Sequence, residues 1–149
     1  MFPMLRTVLI SLSTSLLLGC QPMHKGETNP VAEPVSSSVL AGSDWSIQAI
    51  AGRPVMASTS LSIHFEPQGK LSGFAGCNRF MGRYELSGTK LTIGPLATTR
   101  KLCAGPAMSQ EQLLLLALEE PLEVRHNPSK SGVISLISAE NEQTLLVLK

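Results

Sequence analysis

The chain has 149 residues, 43% of them hydrophobic and 15% charged, with 12 Lys+Arg against 11 Asp+Glu. That length allows one domain with a tail, and the apolar fraction is too high for a disordered chain. A formal charge of +1 excludes the broad basic excess of electrostatic nucleic-acid binders, and three cysteines are too few for a disulfide scaffold.

Residues 1–20 read as a targeting segment. Arg6 is their only charge, Val8 to Leu18 is apolar apart from Ser and Thr, and Leu17-Leu18-Gly19-Cys20 follows. A short positive region, a short apolar run and a small residue before the cut define a secretory signal. The run falls short of the roughly 20 apolar residues that span a bilayer. Leu-Leu-Gly-Cys resembles a bacterial lipobox, in which the signal is removed before the Cys and the thiol is diacylated. The expectation is a signal peptide at residues 1–19 and lipidation, with palmitate or a similar chain, at Cys20. Loss of Arg6 leaves 11 basic and 11 acidic residues. The membrane is then a partner through the lipid anchor, each buried CH₂ contributing about 0.8 kcal/mol. Gln21 stands where an Asp would resemble an inner-membrane retention signal. Its presence favours the outer membrane, facing the periplasm, if the host is Gram-negative. Residues 20–40, with Pro22, Gly26, Pro30, Pro34 and Ser36 to Ser38, read as the lipidated Cys and a flexible tether.

Residues 41–149 form the globular part. Leu61-Ser62-Ile63-His64-Phe65 and Leu91-Thr92-Ile93 alternate with period 2, and Val133 to Ile137 and Thr144 to Leu148 are rich in β-branched and apolar residues. Turn signals at Pro67-Gln68-Gly69, Ser87-Gly88-Thr89, Asn127-Pro128-Ser129 and Glu140-Asn141-Glu142 separate the runs. The pattern predicts strands near 44–50, 60–66, 70–75, 81–86, 90–94, 96–101, 132–138 and 143–148, with a further extended piece at 122–126. Ser109 to Glu120 is predicted as a helix: Ser109 is its N-cap, Gln112 completes a capping box, and Pro121 stops it. So apolar a helix must pack on the sheet, and Leu114 and Leu116 are both expected in the core. The fold class is α+β: a mainly antiparallel curved sheet, or a partial barrel, with one apolar helix.

Glycines and polar residues concentrate in Gly73-Phe74-Ala75-Gly76-Cys77-Asn78-Arg79-Phe80-Met81-Gly82-Arg83-Tyr84. The run lacks the Gly-Lys-Ser/Thr of a phosphate loop. Gly-x-x-Gly-Cys-Asn-Arg-Phe-x-Gly-x-Tyr is followed by Gly94-Pro95-Leu96-Ala97-Thr98-Thr99-Arg100, by Cys103, and by a helix opening near Gln110-Glu111. Together with Trp45, Gly52, Pro54 and Val55 at the start, these motifs resemble the META/HslJ family over residues 41–149. The resemblance implies a small mainly-β domain, a cracked or partial barrel with a helix, common among bacterial envelope lipoproteins. Family members are linked to heat shock, antibiotic tolerance or secretion, with no established reaction.

Cys77 and Cys103 remain after Cys20 is acylated, and an even pair in an exported chain favours a disulfide. Paired with His64 or His126, either could instead supply a nucleophile and base. A metal site built from Cys77, Cys103 and one His lacks the close-paired ligand spacing of structural zinc, so neither metal nor cofactor is expected. Lys70 to Lys101 holds six basic residues and one acid, Glu85. That excess suggests an anion-binding patch, with Asn78, Arg79, Arg83, Tyr84, Arg100 and Lys101 as candidate binding residues. The function expected is a non-catalytic envelope lipoprotein that binds an envelope protein or an apolar or anionic ligand, and no nucleic acid. The competing expectation is a Cys- or His-dependent enzyme acting on an envelope substrate, which a free, reactive thiol would favour.

Overall fold

A computed structural model of the chain describes residues 39–103, 105–127 and 129–149. The signal segment, Cys20 and nearly all of the tether lie outside the described residues. Among the described residues the elements run β1 (Ser43–Ile50), β2 (Arg53–Pro54), β3 (Ser62–Glu66), β4 (Lys70–Phe74), β5 (Arg79–Ser87), β6 (Lys90–Ile93), β7 (Ala97–Thr98), α1 (Pro106–Glu119), β8 (Leu122–His126), β9 (Ile134–Ser138) and β10 (Thr144–Leu148).

Eight of the strands form a closed antiparallel barrel in the order β1-β3-β4-β5-β6-β8-β9-β10, and β10 returns to β1. At that seam Ile47 faces Leu148 and Ile50 faces Leu146, while Ser46 and Lys149 exchange both backbone hydrogen bonds at 2.8 and 2.9 Å. The expected partial or cracked barrel is therefore corrected: the sheet closes. Closure has a physical reason in the last hairpin. Leu145, Leu146 and Leu148 are buried, and an open β10 edge would leave an apolar strand with unpaired amides facing solvent. The narrowest pairing lies between β6 and β8, where Lys90 faces Glu123 and Leu91 faces Leu122.

Period-2 alternation sorts the side chains. Ile63, Phe65, Leu71, Phe80, Leu91, Leu122, Leu136 and Leu146 point inward and are almost wholly buried. Gly73 has no room for a side chain, because a Cβ there would collide with the Phe80 ring and the Ser62 carbonyl. The predicted strand at 96–101 is much shorter, since only Ala97–Thr98 pair with β5. Beyond them Lys101 is held by a side chain, as described below, and not by a neighbouring strand. β5 also begins two residues earlier than predicted, at Arg79.

One short feature escaped the strand pattern. A two-residue loop, Ala51-Gly52, joins β1 to β2, and Ile50 pairs with Arg53 across it. Both loop residues have positive φ, 46° at Ala51 and 75° at Gly52, as a type I′ turn requires. Alanine is strained there, whereas asparagine tolerates the left-handed region. Ala51→Asn should stabilise the domain by about 0.5–1 kcal/mol, read as a higher denaturation midpoint with unchanged slope.

Helix α1 starts at Pro106, three residues before the predicted Ser109 cap. Its N-cap is Gly105 with φ 68°, and no side chain caps it. Proline at the first helical position has its φ pre-set and lacks an N–H that would have no partner anyway. Gln110, Glu111, Leu114, Ala117 and Leu118 form the buried face. Leu116 is 60% exposed, so its expected place in the core is corrected: it lies on the opposite side of the helix from Leu114 and Leu118. The helix contacts β1 and β6, which stand opposite one another in the closed strand order. It therefore lies across one end of the barrel and plugs it with Leu114 and Leu118.

Candidate functional site

The β4–β5 hairpin turns through Ala75 to Asn78, closed by the Ala75 N–H donating to the Asn78 carbonyl at 2.8 Å. This turn carries Cys77 and Asn78 beneath the start of α1. Cys77 is joined to Cys103 in a disulfide with the Cα atoms 6.0 Å apart, which ties the loop after β7 to the hairpin.

Asn78 is 3% exposed, and its polar groups are fully engaged. Its Oδ1 accepts from the Thr99 hydroxyl at 2.8 Å and from the Lys101 N–H at 2.7 Å. Its Nδ2 donates to the Lys101 carbonyl at 3.2 Å and to Glu111 Oε1 at 2.9 Å. Its own N–H donates to Glu111 Oε2 at 2.7 Å. Two lone pairs and two amide hydrogens are the whole capacity of an asparagine side chain. Thr99 extends the network by accepting from the Arg79 N–H at 3.1 Å. Alongside, Gln110 accepts from the Met56 N–H at 3.0 Å and donates to the Thr59 hydroxyl at 2.7 Å. The motif residues thus clamp three chain segments and the helix to one end of the barrel. Glu111 was missed as a site residue. Its signal was present in the spacing of Glu111, Leu114 and Leu118, which puts a carboxylate on the core face of the helix.

Tyr84 also points inward. Its ring meets Phe65 edge-on, with centroids 5.1 Å apart at 88°, and its hydroxyl donates to the Glu66 carbonyl at 3.1 Å. Burial pushes the Tyr84 phenol above its usual range. The six candidate binding residues consequently divide. Asn78 and Tyr84 are buried, whereas Arg79, Arg83, Arg100 and Lys101 are exposed. The arginines of β5 share its outer face with Met81, which is 60% exposed.

Neither His64 nor His126 lies beside the cysteines' turn. His64 lies on the outer face of β3, with Nδ1 2.6 Å from Asp44 Oδ1 but not aligned for a hydrogen bond. His126 is exposed at the end of β8. Among the described residues no group of three His, Cys, Asp or Glu side chains is arranged to hold a metal, and no helix is long and apolar enough to cross a membrane.

Comparison with known proteins agrees with this architecture. No curated relative matches the chain. One solved NMR structure is 29% identical, covers 75% of this chain and 92% of its own, and superposes with a TM-score of 0.59. A second, an NMR structure of a protein from Burkholderia xenovorans, is 23% identical over 95% of this chain and 97% of its own, with a TM-score of 0.63. The second likeness is one of fold. The META domain family matches residues 38–149, which include every strand, the helix and the whole Asn78–Glu111 clamp. The chain belongs to the META domain family.

Proposed function

We propose that the protein is a non-catalytic lipoprotein of the cell envelope. It is acylated at Cys20, lies at the outer membrane facing the periplasm in a Gram-negative host, and acts as a binding module that supports envelope integrity or stress tolerance. One observation carries the non-catalytic part. The cysteines, Asn78 and Glu111 at the centre of the motifs are engaged within the protein: the Cys77 and Cys103 sulfurs are bonded to each other, and Asn78 and Glu111 use their hydrogen-bonding groups on protein partners, while Arg79, Arg100 and Lys101 remain exposed. These residues build the domain, and the outer face of the barrel is left to meet a partner. The Leu-Leu-Gly-Cys sequence supports the anchor.

Maturation tests this reading. Protein extracted from membranes should carry a lipid adduct on Cys20 and need detergent for release. Cys20→Ala should accumulate as full-length precursor without the adduct. Wild-type protein released without detergent, with an unmodified Cys20, would overturn the proposal.

A further inference from the structure

The outer face of β4 and β5 carries an electrostatic arrangement that the fold does not require. Lys70 and Arg83 are direct cross-strand partners, both exposed. Like charges directly opposite one another in an antiparallel pair are destabilising. Neither makes a close ion pair: among the described residues the Arg/Lys ion pairs are Arg125–Glu123 and Arg125–Glu142. Two acids are near. Glu66 faces Lys70 from β3, but its Oε1 accepts from the Ser72 hydroxyl at 3.2 Å. Glu85 lies two residues past Arg83 and pairs with Thr92.

The next rows of the same face continue the pattern. Met81, 60% exposed, lies between Ser72 on β4 and Ala97 on β7, and Arg79 follows opposite Phe74. At about 3.3 Å per residue, Arg79 and Arg83 are about 13 Å apart along the strand. A shallow groove runs over Glu66, Lys70, Met81, Arg83, Pro95 and Ala97. The face is thus an apolar centre flanked by three cations, Lys70, Arg79 and Arg83, which outnumber the two acids beside them, Glu66 and Glu85.

From this we infer that the outer face of β4, β5 and β7 docks on an anionic phospholipid surface, with Lys70 and Arg83 jointly contacting phosphate and Met81 entering the headgroup boundary. The inference rests on the envelope reading above and deepens it. Charge complementarity selects the occupant: cross-strand paired cations that make no close ion pair match a surface dense in phosphate, and an exposed thioether among them matches an interface with an apolar side. Such an occupant also relieves the Lys70–Arg83 repulsion. The chain between Cys20 and Val39 spans at most about 65 Å when extended, enough for the barrel to lie on the leaflet that holds its anchor.

The test separates docking from anchoring. Residues 20–149 carrying Cys20→Ser cannot be acylated at that position, and are sedimented with vesicles of phosphatidylcholine alone or of an equal mixture with phosphatidylglycerol. Binding is expected to the mixed vesicles only, and to weaken as salt rises. Lys70→Gln with Arg83→Gln should weaken it about thirtyfold, from about 1 kcal/mol per basic residue at such a surface. The same double variant should melt at or above the wild-type temperature, which shows that a loss of binding is not a loss of fold. Met81→Gln should weaken binding to the mixed vesicles without changing its salt dependence. Equal binding to both vesicle types, binding to neither, or a double variant that binds like wild type would each overturn the inference. If Cys20 is acylated in cells while the Cys20→Ser chain ignores phosphatidylglycerol, the lipoprotein reading stands and this surface falls. Binding by a chain that is never acylated would mean the reverse.

Discussion

Leu114→Asp is expected to unfold the domain at room temperature, while Leu116→Asp leaves it folded. Leu114 is wholly buried on the face of α1 that plugs the barrel, and Leu116 is 60% exposed on the other side. Truncating a buried leucine alone costs about 2–5 kcal/mol. Placing an unpaired carboxylate in the same space adds several more, and the sum rivals the roughly 5–15 kcal/mol that holds a typical domain together. At Leu116 the carboxylate remains in water, so the change should stay within about 0.5 kcal/mol. Circular dichroism melting curves of the two variants decide the matter. Equal loss in both would mean that α1 does not lie across the barrel end as described.

Breaking the Cys77–Cys103 bridge should have the next largest effect. The cysteines are separated by 26 positions. Closing a loop of that size in the unfolded chain is worth about 3.5 kcal/mol on a chain-entropy argument, or roughly 15 °C in melting temperature for a domain of this size. Asn78→Ala should cost a similar amount by another route. It strips partners from Glu111, from the Thr99 hydroxyl and from both backbone groups of Lys101; Glu111 is the buried one of these, and a buried polar group left unpaired costs about 1–3 kcal/mol, with the lost bonds at the exposed Thr99 and Lys101 adding to it. The two changes act on the same junction, so they should not add. The doubly altered protein is expected to lose clearly less than the sum, measured by denaturant titration. Full additivity would mean that bridge and clamp are independent.

Much of the fold was legible because a period of 2 survives in the strands that bury one face. Ile63 and Phe65 alternate with His64, so inward and outward positions could be read directly there; on β5 the same period turns Tyr84 inward, although it was grouped with the outward Arg83 as a binding residue. The helix was legible in kind but not in orientation. Four leucines in succession, Leu113 to Leu116, cover the circumference, and only the more distant Glu111 and Leu118 reveal which side faces the barrel. The start of the helix was misread because Ser109 and Gln112 make a plausible cap, while Gly105-Pro106 satisfies the terminus by backbone conformation alone. Barrel closure was not legible, since strand pattern says nothing about whether the two edges meet. In the site, Cys77, Asn78 and Cys103 stood out by their motifs. What Asn78 holds depends on a helix more than thirty residues further along, and spacing in sequence does not show that the two meet.

The seam between β1 and β10 also governs how the barrel is made. Ile47 meets Leu148 across about a hundred residues of intervening chain. The entropy of closing so long a loop must be overcome before the contact returns anything, and such non-local closure is slow compared with pairing of adjacent strands. Hairpins such as β4–β5 need only local chain and can form early, but the ring stays open until the final strand is present. A growing chain is therefore held short of its native state by its own topology, with an unpaired β1 edge until the C-terminal strand arrives.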